Sequence, residues 1–314
     1  MKKDVKKTVL ITGGSGLIGK RLSTVLAQRG YAVRWLTRTP DRPCRYKCYG
    51  WDVEAMRVDS QAFDRLDYLI HLAGAPIADE AWTPVRKKCI RDSRVKGAEL
   101  LYQGIEQSGC QPEVFVSASG IHYYGSSQGD QVFSEEAPAG KGFLSEVCAA
   151  WEGATQGIAD RGIRSVQLRT PTVLSLSGGA LPQIARPFKR NLGAALGSGQ
   201  QPFSWIHLDD LVALYQYALE RELEGPYNAV APNQVKNESF SKALAKVMQK
   251  RFFMPKVPGF ALKLWLGARS ELLLKGVWAS PEKLLNTDFR FAYPSLESAL
   301  EHLFLKRYSL RGRG

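Results

Sequence analysis

The sequence predicts an α/β protein, a doubly wound parallel sheet followed by a smaller, mixed C-terminal region. Three observations predict it. From residue 8 to about residue 170, short β-rich apolar runs alternate with segments of helical periodicity, a rhythm that calls for parallel strands joined by right-handed crossovers. Three glycines, Gly13, Gly16 and Gly19, follow the first of these strands at once. After Arg169 the rhythm breaks, and residues 175–204 are rich in Gly, Pro and Ser. The chain divides accordingly into residues 1–170, rejoined by 205–230, and a second region made of 171–204 and 231–314.

The elements follow in order. Thr8–Thr12 is the first strand, and Leu17, Ile18, Leu22, Val25 and Leu26 recur at helical spacing from Gly16 until Gly30 stops the helix. Strands are expected at 32–36, 68–73, 114–117 and 165–169, with helices at about 92–107 and 145–160. Residues 175–204 read as a long loop with short elements. An amphipathic helix at about 209–222 turns Leu211, Val212, Leu214, Tyr215 and Ala218 to one side. Helical segments close the chain at 238–250, 259–274 and 295–305, where Phe252, Phe253, Phe260 and Trp265 read as core.

Composition narrows the class. With 44% hydrophobic and 23% charged residues over 314 positions, the chain is not a disordered one. No apolar run reaches the roughly 18 residues of a membrane-spanning helix, and no secretory leader is evident, so a cytoplasmic protein without a membrane partner is expected. Five scattered cysteines are an odd number for a disulfide framework, and reduced thiols are expected. Cys44 and Cys48 read as unrelated loop thiols, because a zinc site needs about four ligands; no metal is expected. The formal charge of +13 is concentrated at the two ends, +10 over residues 1–50 and +6 over 251–314. Such blocks attract nucleic acid, an anionic membrane surface or a phosphorylated small molecule. With no nucleic-acid-binding signature present, a small molecule is the expected partner and nucleic acid is not.

The glycine loop gives that small molecule a chemistry. A strand–Gly-rich turn–helix offers unpaired N–H groups and partial positive charge at the helix start, which suits a pyrophosphate. Gly13 permits the tight turn, Gly16 lets phosphate approach the backbone, and Gly19 lets the helix lie close to the sheet. Residues 1–170 then read as a dinucleotide-binding domain and the second region as substrate-binding. Gly13, Ser15, Gly16, Leu17, Ile18 and Gly19 are the expected cofactor contacts of the loop.

The G-x-x-G-x-x-G spacing behind Ile11-Thr12 resembles the extended, epimerase-like branch of the short-chain dehydrogenase/reductase superfamily. The resemblance continues at His71-Leu72-Ala73-Gly74, at Ser117-Ala118-Ser119 with Tyr123-Tyr124-Gly125, and at Trp205-Ile206-His207-Leu208-Asp209-Asp210. Stretches at 71–79, Trp82, 168–170, 196–200 and 255–300 are similar to the YfcH-type, sugar-nucleotide epimerase-like subgroup. The match spans almost the whole chain and implies a Rossmann-like sheet; it does not specify a substrate. It implies that Leu72, Ala73, Gly74 and Ser117 line the cofactor and that Asp52 accepts from the adenine amino group.

The second strand ends Leu36-Thr37-Arg38-Thr39 with no acid until Asp41. An acid there would hold the ribose hydroxyls of NAD, whereas Arg38, with a hydroxyl from Thr37 or Thr39, suits the 2′-phosphate of NADP. NADP is therefore the expected cofactor, with NAD the alternative.

The superfamily's Tyr-x-x-x-Lys pair is missing. Where it belongs the chain reads Gly142-Phe143-Leu144-Ser145-Glu146-Val147-Cys148, so Phe143 or Leu144 takes the tyrosine's place and Val147 or Cys148 the lysine's. By resemblance Ser119 is the hydroxyl that polarises a substrate carbonyl. Tyr123 or Tyr124 is a replacement proton donor, with a nearby cation lowering its pKa, or else both pack a pocket wall; His122 is a further donor. On the substrate side, Trp205 offers a stacking face and His207 a donor, or else Trp205 is core and His207 caps the helix begun by Asp209-Asp210. The expected function is an NADP-binding oxidoreductase or epimerase-like enzyme acting on a small carbonyl or hydroxyl compound, a nucleotide sugar among the candidates. The alternative is a non-catalytic, NADP-responsive binding or regulatory protein.

Overall fold

The computed structural model describes residues 6–305; Met1–Val5, in the basic N-terminal segment, and the basic residues from Lys306 onward lie outside the described residues. The elements run β1 (Thr8–Thr12), α1 (Leu17–Gln28), β2 (Ala32–Thr37), β3 (Lys47–Asp52), β4 (Arg57–Val58), β5 (Tyr68–His71), α2 (Pro84–Ser108), β6 (Val114–Gly120), β7 (Val132–Phe133), α3 (Phe143–Ala154), α4 (Gln156–Ala159) and β8 (Arg164–Thr170). They continue with β9 (Thr172–Leu174), α5 (Ala180–Lys189), β10 (Pro202–Phe203), β11 (Trp205–His207), α6 (Leu208–Glu220), β12 (Gly225–Asn228), β13 (Val235–Lys236), α7 (Asn237–Val247), α8 (Gly259–Leu266), α9 (Glu271–Leu274), β14 (Trp278–Ala279), α10 (Glu282–Leu285) and α11 (Leu296–Phe304).

Eight strands form one Rossmann-like sheet in the order β12-β8-β6-β5-β1-β2-β3-β4. All neighbours pair parallel except β3 and β4. The central strands β1 and β5 are buried along their whole length because both faces are covered, with apolar residues inside and polar ones at their ends. Val9 and Ile11, Tyr68 and Ile70, and Val114 and Val116 pack on one face with Leu22 and Leu26 of α1 and Leu211, Leu214 and Tyr215 of α6. Leu10, Leu69 and Phe115 point the other way, onto Leu100, Leu101 and Ile105 of α2. A separate core joins α5, α7 and α11 around Trp205, Phe240 and Leu300.

The order reverses at β1: the chain moves outward through β2 and β3, then returns to β5 on β1's other side. Crevices at such reversals, beyond the carboxyl ends of the strands, are where open α/β sheets bind ligands. Here the crevice is walled by the glycine loop after Thr12 and by Leu72–Gly74 after His71.

Three elements differ from expectation. Lys47–Asp52 forms a strand whose Tyr49 and Trp51 are buried at period two, a pattern disguised by the glycine between them and the charges at its two ends. Helix α2 starts at Pro84 rather than near residue 92, capped by Thr83 accepting from the Arg86 amide; the run of charges from Arg86 to Arg91 hides its periodicity. Helix α5 lies in the expected loop and buries Leu181, Ala185 and Phe188 at helical spacing. The expectation for Cys44 and Cys48 is also corrected: the two are disulfide-bonded, while Cys89, Cys110 and Cys148 are free.

Candidate functional site

Helix α1 opens on Gly16 with no side-chain cap and no acid in its first turn, so its leading amides and their partial positive charge face the crevice. Gly13 adopts φ +69, and a Cβ there would lie 2.9 Å from the Ala73 nitrogen. The loop thus rests directly on the backbone leaving β5. Gly19 is required by another contact than the one expected: a Cβ would lie 2.3 Å from the Gly13 carbonyl oxygen, so its smallness closes the loop onto the helix, not the helix onto the sheet. Ser15 and Gly16 are exposed at the rim, Ile18 packs into the core, and Leu17 packs against Gly178 and Gly179 ahead of α5.

The two walls are clipped together by Thr12. Its hydroxyl accepts from the amides of Leu72 and Ala73, both at 3.1 Å, and lies 2.7 Å from Nδ1 of His71. With both lone pairs used, the hydroxyl must donate to Nδ1, which puts the His71 proton on Nε2. Burial pushes the His71 pKa down to about 4, so the ring is neutral and sits edge-on between Trp51 and Trp151.

At the end of β2, Arg38 is exposed and makes no hydrogen bond or ion pair with any described residue, and Thr37 accepts from the Thr39 amide at 3.3 Å. Asp52 is partly engaged: its Oδ1 caps the following turn by accepting from Glu54 and Ala55, both at 3.0 Å. Ser117 is buried in β6 beside His71 and donates to the Ala118 carbonyl.

Sequence reasoning missed Arg94. From α2 its Nη1 donates to the carbonyls of Ile90 (2.9 Å) and Ala75 (3.1 Å), and the guanidinium lies 5.1 Å over Trp151. It sits so close to Gly74 that a Cβ there would be 2.8 Å away. Burial lowers its pKa, and no carboxylate pairs with it among the described residues. A half-buried cation without its anion, at the crevice wall, is a ready partner for a negatively charged ligand. The signal was present: Arg94 falls on the inward stripe of α2 between Ile90 and Ala98, where an apolar residue belongs.

Ser119 is placed differently from expectation, and Tyr124 takes the packing alternative in place of the proton-donor one. Ser119 donates its only proton to Glu152 Oε1 at 2.6 Å, and Glu152 accepts from Arg169 Nε and Nη2 at 2.9 and 2.8 Å. A hydroxyl so committed cannot also polarise a carbonyl. Tyr124 is buried, stacked on Phe133, and its phenol is held by Arg169 and Asn228, each at 2.8 Å. Burial outweighs the Arg169 charge and pushes its pKa up to about 12, which suits a buttress and not a proton carrier. Tyr123 is half-buried, with the Arg169 guanidinium 3.6 Å from its ring centroid. Cys148 reaches the end of β6, 3.4 Å from where a Gly120 Cβ would be. Its thiol is pushed up to about 11, chiefly by burial, so it is no nucleophile. The His122 ring is held neutral by burial, its pKa near 4.

Trp205 and His207 take the second of the two readings, core residue and helix cap, and not the substrate-binding one. Trp205 is fully buried and donates to the Asn233 carbonyl at 2.7 Å. His207, 2% exposed, caps α6 by accepting from the Asp209 amide through Nδ1. Its Nε2 lies 3.2 Å from His302 Nδ1, and its ring packs on Tyr293. Burial lowers its pKa to about 4. Their segment was legible because it is a fixed local pattern; the direction in which it points was not.

Residues 9–230 match the NAD dependent epimerase/dehydratase family. The chain belongs to that family. Residues 257–303 match a domain of unknown function, DUF1731. Among curated relatives of this epimerase family, the chain is 36% identical over 305 residues to the chloroplastic epimerase family protein SDR39U1 homolog of Arabidopsis thaliana, covering 95% of this chain and 87% of the relative. It is 33% identical to epimerase family protein YfhF of Bacillus subtilis, covering 95% and 98%. Among solved structures it resembles human epimerase family protein SDR39U1, crystallised with NADPH, at TM-score 0.84 and 29% identity, covering 95% of this chain and 99% of that one.

Proposed function

We propose that this epimerase-family chain binds NADP(H) and acts as an oxidoreductase or epimerase-like enzyme on a small carbonyl or hydroxyl compound, a nucleotide sugar among the candidates. The observation that carries the cofactor choice is the end of β2, where no acid stands and Arg38 is exposed and unpaired among the described residues. The human relative's NADPH complex and the uncapped start of α1 support the same reading. On it, Gly13 and Ser15–Gly19 hold the pyrophosphate, Thr37 and Arg38 the 2′-phosphate, and Asp52 the adenine. Leu72–Gly74, Ser117 and Arg94 line the path toward the nicotinamide, which when bound supplies a hydride donor or acceptor. Tyr123 is the remaining candidate among the predicted catalytic residues for moving a proton, because Ser119 and Tyr124 are tied into the Arg169 network. Tyr123→Phe then abolishes turnover while leaving NADPH binding intact.

A specific observation favours the second reading, an NADP-responsive regulatory protein: Leu144 and Cys148 stand at the spacing of the missing Tyr-x-x-x-Lys pair. Titration with NADPH and NADH, followed by nicotinamide fluorescence, and a screen of carbonyls and nucleotide sugars for hydride consumption separate the two. The enzyme reading expects preferential NADPH binding with turnover; tight binding with no turnover selects the regulator. Arg38→Ala should cost NADPH about 1.5–3 kcal/mol, the worth of hydrogen bonds to a charged group, and NADH little. Equal affinity of the wild type for both nucleotides overturns the phosphate assignment.

A further inference from the structure

Three aromatic side chains expected in the core, Phe253, Phe260 and Trp265, stand in solvent instead, and Leu264 stands there with them, whereas Phe252 packs against the α5–α7–α11 core as expected. Phe253, Phe260, Leu264 and Trp265 are 66%, 75%, 89% and 78% exposed. Phe260, Leu264 and Trp265 lie on α8, and Phe253 lies in the loop before it. Phe260, Lys263 and Leu264 share one side of the helix, Trp265 lies next to them, and Leu262 alone is buried beneath. Single exposed apolar residues are ordinary, but a cluster of this kind marks a contact surface.

The charge around the cluster has one sign. Residues 250–275 hold six Lys or Arg and a single acid, Glu271, which Lys275 neutralises at 3.1 Å. Lys256 is paired with Glu238 at 2.8 Å, and Arg269 donates to the Ala78 carbonyl. Lys250, Arg251 and Lys263 pair with no acid among the described residues. Phe260, Leu264 and Trp265 project into solvent, and the concavity beside α8, lined by Lys263, Gly267, Glu271 and Leu274 among others, includes none of them, so they do not form the walls of a peptide groove. Apposing a second copy would bring cationic rims together on a chain already carrying +13.

We propose that α8 and the preceding loop are a membrane-surface docking site whose occupant is an anionic lipid bilayer. The apolar tips enter the boundary between headgroups and acyl chains while Lys250, Arg251 and Lys263 meet the negative headgroups. The contact is superficial: no helix among the described residues is long and apolar enough to cross a membrane.

The test is sedimentation of the full chain with phosphatidylcholine vesicles prepared with and without phosphatidylglycerol, with tryptophan emission as a second readout. The chain should sediment with the anionic vesicles alone, shift its emission to the blue, and be released by added salt. Phe260→Ser/Leu264→Ser/Trp265→Ser should stay in the supernatant with an unchanged melting temperature, because these side chains support no core. Lys263→Ala should weaken partitioning about fivefold, and Trp265→Phe should keep binding while losing most of the emission shift. A wild type that ignores anionic vesicles, or a triple variant that sediments as the wild type does, overturns the proposal. So does self-association in sedimentation equilibrium that the triple variant abolishes, which would give the patch to a second copy.

Discussion

Thr12→Val replaces the hydroxyl that clips the two walls of the crevice by a methyl group of similar size. In the fully buried pair Thr12 and His71, that hydroxyl serves His71 Nδ1 and the amides of Leu72 and Ala73. The Leu72 amide keeps a second acceptor, the Thr12 carbonyl at 3.3 Å. Two groups are therefore stranded, the Ala73 amide and His71 Nδ1. At about 1–3 kcal/mol for each buried unsatisfied group, the cost is about 2–6 kcal/mol. A kilocalorie lowers the melting temperature by about 2 °C in a chain of this length, so thermal unfolding should fall by at least about 4 °C. NADPH affinity should fall with it, because Gly13 rests on the Ala73 nitrogen and any shift of Ala73 moves the loop. Thr12→Ser, which restores the hydroxyl, should recover most of both losses. A valine variant melting within about 1 °C of the wild type, or a serine variant no better than valine, would refute the clip.

Further outcomes follow from the same geometry. Gly19→Ala drives a methyl into the Gly13 carbonyl and should weaken NADPH binding by about tenfold or more in a fluorescence titration; unchanged affinity would mean the loop does not grip the ligand. Glu152→Leu leaves the nearly buried Arg169 without its partner and should cost about 3–5 kcal/mol in denaturant unfolding. Adding Arg169→Met should return part of that loss, and strict additivity would deny the pairing its role. His71, His122 and His207 are held neutral, each with its folded pKa near 4 against about 6.5 when unfolded. Below pH 6.5 the unfolded chain binds protons that the native chain refuses, so stability is full above that pH and is lost as pH falls toward 4. Melting temperature should drop through that window, less steeply in His207→Asn, which keeps a cap for α6; a flat profile contradicts the assignment.

Much of the sheet was legible because its signals are local. β1, the glycine loop and α1 are contiguous, so strand, turn and helix dictate one another over about twenty residues. The clip was half visible: Thr12 and His71 each sit at a recognisable strand end, but their contact needs β1 and β5 side by side. Ser119 looked like a free hydroxyl because its partners Glu152 and Arg169 are 33 and 50 residues away in the chain. Arg94 went unnoticed because a lone arginine on a charged helix reads as solvated until Gly74 and Trp151 are packed around it.

By itself, then, the chain determined the strand–helix alternation that makes the sheet parallel, the backbone turn suited to phosphate, and the absence of an acid at the end of β2. Those properties depend on neighbours within a turn or two. Only the tertiary structure decided which polar groups are spent on each other, as in Ser119 with Glu152 or His207 with Asp209, and which are left over, as with Arg38 and Arg94. It also decided that Phe260, Leu264 and Trp265 lie outside, because burial belongs to the packed surface a side chain meets and not to the side chain.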